Sequence, residues 1–583
     1  MNVNRNNVNH NNVNHSNVNH NVAQRLTSMA EQRPDDVAIA VPLGSHRLGI
    51  KRPYRQISFR QLDQDSSAIA AGLMQRGLRP GQRIAMLIPF NAEFITVVFA
   101  LLKAGAAIVL IDPGMGRKHL ARCLEEAEPD GFVGTPVVHV IRGILSKRFP
   151  KAKLLITTGR TLGWPRFPTL NELQQESAES GQIYMASLDD LAAIIFTTGS
   201  TGPPKGVRYT HRMFNRQIDQ IVERYQIEPG GKDLSGFPLF GLFNAVMGTT
   251  TIIPDMNPTR PASVDPAKLM DAMDQWEINQ SFGSPALWTA VGRYCERTGR
   301  KMPTLKRVLS AGAPVPPRVL AWVRGAMHSE GVVYTPYGAT EALPVASIES
   351  REVLEETAAR SQAGAGTCVG KAFSGIQWKV IDIEDGPAEI MSDVRELPRG
   401  QIGELMVTGD VVSQHYETRQ DQNAFHKVFD GSRYWHRMGD IGYLDEQDRF
   451  WFCGRKAHRV VTAERILYTI PCEAIFNTHR SVHRTALVGF VEDSRQENQA
   501  FQTAALVIET WAKSKQKDLS NAMEDELLIQ ELRQLAQQYE HTKCIQHFFI
   551  YPGPLPTDIR HNAKIFREKL GPWAKQQVMK RKS

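Results

Sequence analysis

The chain has 583 residues, 42% hydrophobic and 22% charged, with Lys+Arg 69 against Asp+Glu 61 and a net charge of +8. At roughly 150 residues per domain this excludes a peptide or a lone binding module and predicts several domains, or one large domain with an appendage. The modest basic excess favours anionic partners but is dispersed and lacks the aromatic-basic stacking pattern of a nucleic-acid binder, so no nucleic-acid partner is expected.

Residues 1–22 repeat Val-Asn-His and Asn-Asn units, a low-complexity tail expected to be disordered. His10, His15 and His20 recur within it and read as part of a solvated tail rather than a metal site. From Ala23 onward, helix-like runs (68–75, 93–103) alternate with short apolar runs (83–88, 107–111, 154–157, 192–196), the pattern of an α/β domain. The most apolar stretch, 94–111, is interrupted by Lys103 and Gly105, and the start of the chain has no signal-peptide core, so no membrane span and no secretion are expected. Cys123, Cys295, Cys368, Cys453, Cys472 and Cys544 fit neither a metal site nor a disulfide framework and read as reduced thiols of a cytoplasmic protein. Beyond Gly454 the texture shifts to that of a small α+β unit. There an amphipathic helix within 521–540 places Leu528, Leu532 and Leu535 on one face.

The segment richest in chemistry is Thr197-Thr198-Gly199-Ser200-Thr201-Gly202-Pro203-Pro204-Lys205-Gly206, directly after an apolar strand. Glycines let backbone amides approach an anion, hydroxyls donate to it and Lys205 offsets its charge, so the loop reads as a phosphate cradle. It is not a Walker loop, because two prolines precede Lys205 and Gly206 follows it.

This loop resembles the hallmark of the adenylate-forming superfamily of acyl-CoA synthetases, peptide-synthetase adenylation domains and luciferases. Similar motifs follow in family order: Leu102-Lys103-Ala104-Gly105-Ala106, Ser310-Ala311-Gly312-Ala313-Pro314, Tyr337-Gly338-Ala339-Thr340-Glu341, Gly403-Glu404-Leu405, Met438-Gly439-Asp440, Gly454-Arg455 and Lys564-Ile565-Phe566-Arg567. The resemblance implies a large, multi-sheet α/β AMP-binding domain over 23–454 and a small mobile α+β domain over 455–583, hinged near Lys456 and Ala457. It implies ATP and Mg²⁺ as cofactors, with Thr197 to Gly202 and Lys205 around the phosphates. Gly312, Ala313 and Pro314 would read the adenine edge, and Tyr337 beside Gly338 would offer it an aromatic face. Thr340 would donate to the α-phosphate, Glu341 would be the hard oxygen ligand of Mg²⁺, Asp440 would accept from the ribose hydroxyls, and Arg455 would approach sugar and phosphate. Lys564 would be the catalytic ammonium that meets charge developing on the α-phosphate.

Departures from the family pattern bear on what captures the acyl-adenylate. No glycine occurs between Gly454 and Gly489, where thioester-forming relatives carry one on the pantetheine route, and Pro238-Leu239-Phe240-Gly241 lacks the histidine of the CoA-ligase gate. CoA is therefore not expected. The segment Asp558-Ile559-Arg560-His561-Asn562-Ala563-Lys564 and the stretch from Cys123 to Pro129 resemble the olefin β-lactone synthetases, which implies a long-chain 2-alkyl-3-hydroxy fatty acid whose own hydroxyl closes a β-lactone. Partners that make the hydroxy acid and consume the lactone, in one hydrocarbon-forming assembly, follow from the same resemblance. A fatty-acyl-CoA ligase, an amide ligase and a non-catalytic binding protein are the alternatives. Phe237, Phe240, Phe243 and Trp288 are candidate walls of the acyl pocket.

Overall fold

The computed structural model describes residues 18–112, 115–159, 167–176, 182–197, 203–237, 239–492, 501–511, 522–557 and 564–582. Two sheets dominate the first three quarters of the chain. The smaller has six strands, parallel through Leu154–Thr157, Gly131–Gly134, Arg83–Leu87, Ala107–Leu110 and Leu191–Phe196, and is closed by the antiparallel strand Gly206–Thr210. Its strands are almost wholly apolar because helices cover both faces, among them Phe59–Gln75 and Ala92–Lys103. Ser58 caps the former and Asn91 the latter, each accepting from the backbone N–H three residues on.

The larger sheet has 14 strands. One half is parallel and includes Gln280–Gly283, Arg307–Ser310 and Val332–Ala339. The other half is antiparallel, runs to an edge strand at Gln377–Ile381 and contains the long hairpin Tyr434–Leu444 and Arg449–Arg455. The parallel strands of both sheets end at one cleft, where open α/β folds place ligands. Lys103, which the sequence sets in a family motif, is buried and pairs with Asp63 Oδ1 at 2.6 Å and Ser67 Oγ at 2.8 Å, a structural ammonium rather than a site residue.

Beyond Arg455 the chain builds a three-stranded sheet, Val482–Phe490, Thr503–Thr510 and His547–Ile550, flanked by helices Ala522–Ala536 and Arg567–Lys582. The amphipathic face expected there buries Leu528 and Leu532, with Leu535 half-buried. All six cysteines are free thiols. No described helix is long and apolar enough to cross a membrane.

The chain is packed earlier than its composition suggests. Residues 21 and 22, assigned to the tail from their Asn/His-rich surroundings, are buried in the fold. Asn21 Nδ2 donates to Leu102 O at 2.7 Å and to Tyr184 O at 3.2 Å, so a polar residue is satisfied internally where composition reads solvent. His10 and His15 lie outside the described residues.

Glu509 anchors the C-terminal sheet. Its buried carboxylate accepts from His483 Nδ1 at 2.9 Å, Arg484 Nε at 2.6 Å and Leu555 N at 2.9 Å. Burial alone would raise its pKa; these donors overcome that and bring it down to about 2. A depressed carboxylate contributes stability that is complete above the unfolded value and lost as pH falls through the folded one. Glu509→Gln is therefore expected to lower stability by roughly 3 kcal/mol at pH 7, a gap that narrows as pH falls below 4.5 and closes near 2. Urea unfolding at pH 7 and pH 3 measures this, and an equal gap at both would contradict it.

Candidate active site

A tight hairpin places Thr340 and Glu341. The strand Val332–Ala339 turns directly into Ala342–Glu349 with Ala339 paired to Ala342, so these two residues form the turn at the end of the large sheet. Only glycine fits at 338, where a Cβ would lie 2.6 Å from Ala342 O. The Tyr209 hydroxyl donates to Thr340 O at 2.6 Å and Ser413 N to Glu341 O at 2.8 Å, which ties the turn to both sheets.

Glu341 meets a group of residues that carry no motif of their own. Tyr416 donates its hydroxyl to Glu341 Oε1 at 2.9 Å, and its ring centroid lies 5.0 Å from Lys205 Nζ and 5.4 Å from Lys427 Nζ. Lys205 also donates to His426 Nε2 at 3.0 Å, which requires that nitrogen to be unprotonated. Burial, assisted by Lys205 and Lys427, pulls the His426 imidazole down to about 3. Lys427 is fully buried and donates to Ser413 O; burial pulls its ammonium down to about 7, with Glu341 opposing. Burial likewise lowers Lys205. Nothing in the local sequence marks Tyr416, His426 or Lys427, because their role comes from the strand crossing that delivers them.

The stems of the glycine-rich loop are locked together: Thr197 N donates to Lys205 O at 3.0 Å, and Lys205 N to Thr197 Oγ1 at 3.2 Å. Thr198, Gly199, Ser200, Thr201 and Gly202 lie outside the described residues. Gly312, in a left-handed conformation at φ 97°, follows the parallel strand Arg307–Ser310 and faces the cleft; Ala313 is half-buried and Pro314 exposed beside it.

Asp440 and Arg455 are cross-strand partners in the long hairpin, with Arg455 Nη1 2.9 Å from Asp440 Oδ1. The contact is ionic rather than a directed hydrogen bond, because the buried Oδ1 receives no aligned donor; Asp440 itself does not line the cavity, whereas Arg455 does. The other oxygen accepts from the Tyr337 hydroxyl. Tyr337 is thus held behind Asp440 and does not line the cavity, unlike its neighbour Gly338.

A cavity of about 690 Å³ runs inward from this cleft. Thr197, Lys205, Thr340, Glu341 and Arg455 form its charged end, and Phe237, Phe240 and Phe243 are among its apolar walls. Trp288 is not: helix Pro285–Thr298 turns it into a separate core with Leu287, Val291 and Leu320, where it is 1% exposed.

Lys564 does not line the cavity. It stands before helix Arg567–Lys582, where its charge adds to those of Arg567 and Arg455 on His458; burial and these cations pull that imidazole down to about 4. Lys564 and Arg455 are thereby brought to the same neighbourhood. At the start of the small unit, Lys456 Nζ lies 3.0 Å from Glu404 Oε2, and Glu404 is paired at 2.8 Å with Arg437, both being 1% exposed. The hairpin Val460–Val461 and Ile466–Leu467 is present, but its tip, residues 463–465, is exposed and does not line the cavity.

The residues suit Mg²⁺ and a nucleotide. Among the described residues no group of three or more His, Cys, Asp or Glu side chains is placed to hold a metal, so an ion at Glu341 would complete its shell with phosphate oxygens and water, as Mg²⁺ characteristically does.

These features define an adenylate-forming site, and residues 26–417 match the AMP-binding enzyme family, to which the chain belongs. It is 44% identical to the olefin β-lactone synthetase of Stenotrophomonas maltophilia, over 96% of this chain and 99% of that one. It is 42% identical to the olefin β-lactone synthetase of Xanthomonas campestris pv. campestris, over 96% and 98%. Among solved structures, ATP-bound MatB from Rhodopseudomonas palustris shares the fold with a TM-score of 0.74 at 22% identity, over 96% of this chain and 99% of that one.

Removing Glu404 would strand the buried Arg437 guanidinium. Glu404→Ala is expected to cost about 3–5 kcal/mol in urea unfolding, whereas Lys456→Met, which removes a partner with access to solvent, should cost under about 1 kcal/mol. Equal losses would mean that the Arg437–Glu404 pair is not what holds this corner.

Proposed function

We propose that the protein is an ATP-dependent ligase that adenylates a long-chain 2-alkyl-3-hydroxy fatty acid and closes it to a β-lactone, releasing AMP and pyrophosphate. The observation that carries this reading is the large apolar cavity opening onto Thr340, Glu341 and Lys205, in a chain 44% identical along almost its whole length to an olefin β-lactone synthetase. In the first half-reaction a carboxylate oxygen of the acid attacks the α-phosphorus of ATP and pyrophosphate leaves. Lys205 and the loop it closes hold the phosphates, Thr340 orients the α-phosphate, and Asp440 with Arg455 holds the ribose. Glu341 would hold Mg²⁺, which when bound would neutralise charge on the phosphates. Lys564 places its ammonium where charge accumulates in the transition state and not before, which is what accelerates the step.

In the second half-reaction the 3-hydroxyl oxygen attacks the acyl carbon, the bond from that carbon to the AMP oxygen breaks, and the hydroxyl proton passes to the phosphate of the departing AMP. The new ring closes within one molecule. An enclosed apolar cavity favours this by holding alcohol and carbonyl in one bent conformer and by keeping out water. CoA has no place in this scheme. Residues 23–454 and 455–583 act as two lobes that rotate near Lys456 and Ala457, bringing Lys564 in for adenylation. The free thiols suit a reducing cytoplasm. The lactone passes to a partner enzyme of the same hydrocarbon-forming assembly.

Wild-type protein with a synthetic 2-alkyl-3-hydroxy acid, ATP and Mg²⁺ is expected to give AMP, pyrophosphate and a product lighter than the acid by one water, equally with and without CoA. Mass spectrometry of the product decides this, and an absolute need for CoA would overturn ring closure. Lys564→Ala should lose roughly 100-fold in acid-dependent pyrophosphate exchange while still binding ATP; exchange at the wild-type rate would remove Lys564 from the catalytic role.

A further inference from the structure

The apolar cavity follows one helix. His211–Tyr225 presents Phe214, Gln217, Ile218, Ile221 and Tyr225 to it, a stripe at helical spacing. The reacting end meets this stripe at its polar member. Gln217 Nε2 donates to Leu343 O at 2.8 Å, just past Glu341, and Tyr209, whose ring lies 5.1 Å from Phe214, donates to Thr340 O. From Gln217 the stripe extends in both directions. One leads through Ile221 to Tyr225, and the other through Phe214 back to the start of the helix, about 9 Å away at 1.5 Å per residue.

The second direction ends on a residue from the opposite end of the chain. Val22 lines the cavity, is 5% exposed, and donates its backbone N–H to Nδ1 of His211, the first residue of the helix, at 3.1 Å. A backbone N–H can only donate, so Nδ1 is unprotonated; burial, which pulls the imidazole down to about 4, keeps it so at neutral pH. The flanking residues are fastened as firmly. Asn21 donates to Leu102 O and Tyr184 O and accepts from Ala23 N at 3.0 Å, while His20 N donates to Ala186 O at 3.0 Å and His20 O accepts from Asn215 Nδ2 at 2.9 Å. These bonds fix in place one apolar side chain that shares the cavity lining with Phe99 and Leu102.

We propose that Val22 is the end wall for one of the acid's two alkyl chains, and that side-chain size at this position sets the length limit of that chain alone. The proposal rests on the cavity taking the acyl chains, as under the proposed function, but not on ring closure. Chain length is discriminated at such a wall because one methylene too many has nowhere to go, and one too few leaves a void, each worth about 10-fold or more in kcat/KM.

The test measures acid-dependent pyrophosphate release over two series of 2-alkyl-3-hydroxy acids. One is lengthened methylene by methylene in the 2-alkyl chain, the other in the chain beyond the 3-carbon. Val22→Ala should move the optimum to longer chains and Val22→Leu to shorter ones, each changing the long-to-short kcat/KM ratio by about 10-fold in one series and leaving the other unchanged. Thermal melting establishes that both variants are folded, and Val22→Ala keeps every backbone bond described above. Unchanged optima in both series would overturn the end wall, and equal shifts in both would overturn its assignment to a single chain. Wild-type protein that releases no pyrophosphate with any acid of either series would overturn the substrate reading instead.

Discussion

The site depends on the ion pair between Asp440 and Arg455, set opposite each other at the end of the long antiparallel hairpin. Burying a carboxylate is costly, and Asp440 tolerates it because Arg455 and the Tyr337 hydroxyl oppose the upward push of desolvation. The same arrangement leaves one Asp440 oxygen without a directed donor. Close by, Glu404 does for Arg437 and Lys456 what Asp440 does for Arg455. Two carboxylates thus hold the cations on either side of the point where the large sheet gives way to the C-terminal unit.

The apolar and charged parts of the cavity require each other. Lys205 and Lys427 both lie beside the Tyr416 ring in low dielectric, where burial lowers both ammoniums and the Glu341 carboxylate opposes that lowering. The apolar walls supply the low dielectric. In the proposed reaction the same walls would also bind the alkyl chains of the acid, so one cavity would serve both the priming of the carboxylate and its capture by a neighbouring alcohol.

Much of this was legible in the sequence, for identifiable reasons. Thr340, Glu341, Arg455 and the loop stems Thr197 and Lys205 sit at strand ends and tight turns, where a short motif fixes both residue and backbone, and they line one cleft, while Asp440 lies within its strand as the buried partner of Arg455. The alternating α/β texture also located four of the six strands of the smaller sheet to within a residue, but not Gly131–Gly134 or Gly206–Thr210. Tyr416, His426 and Lys427 were not legible, because each reaches the site by tertiary crossing and none belongs to a recurring string. Trp288 misled because an aromatic residue carries no mark of which side of its helix faces the core. Asn21 and Val22 were hidden for the opposite reason: low-complexity surroundings masked two residues whose partners are 81 and 189 positions away.

Arg455 is the last residue of its strand and Lys456 the first beyond it. A body turning about that junction carries distant atoms through a wide arc while those at the axle scarcely move. In the proposed rotation Asp440 stays with the large sheet and Lys564 moves with the C-terminal unit, so the lysine would turn about a seat that itself stays fixed.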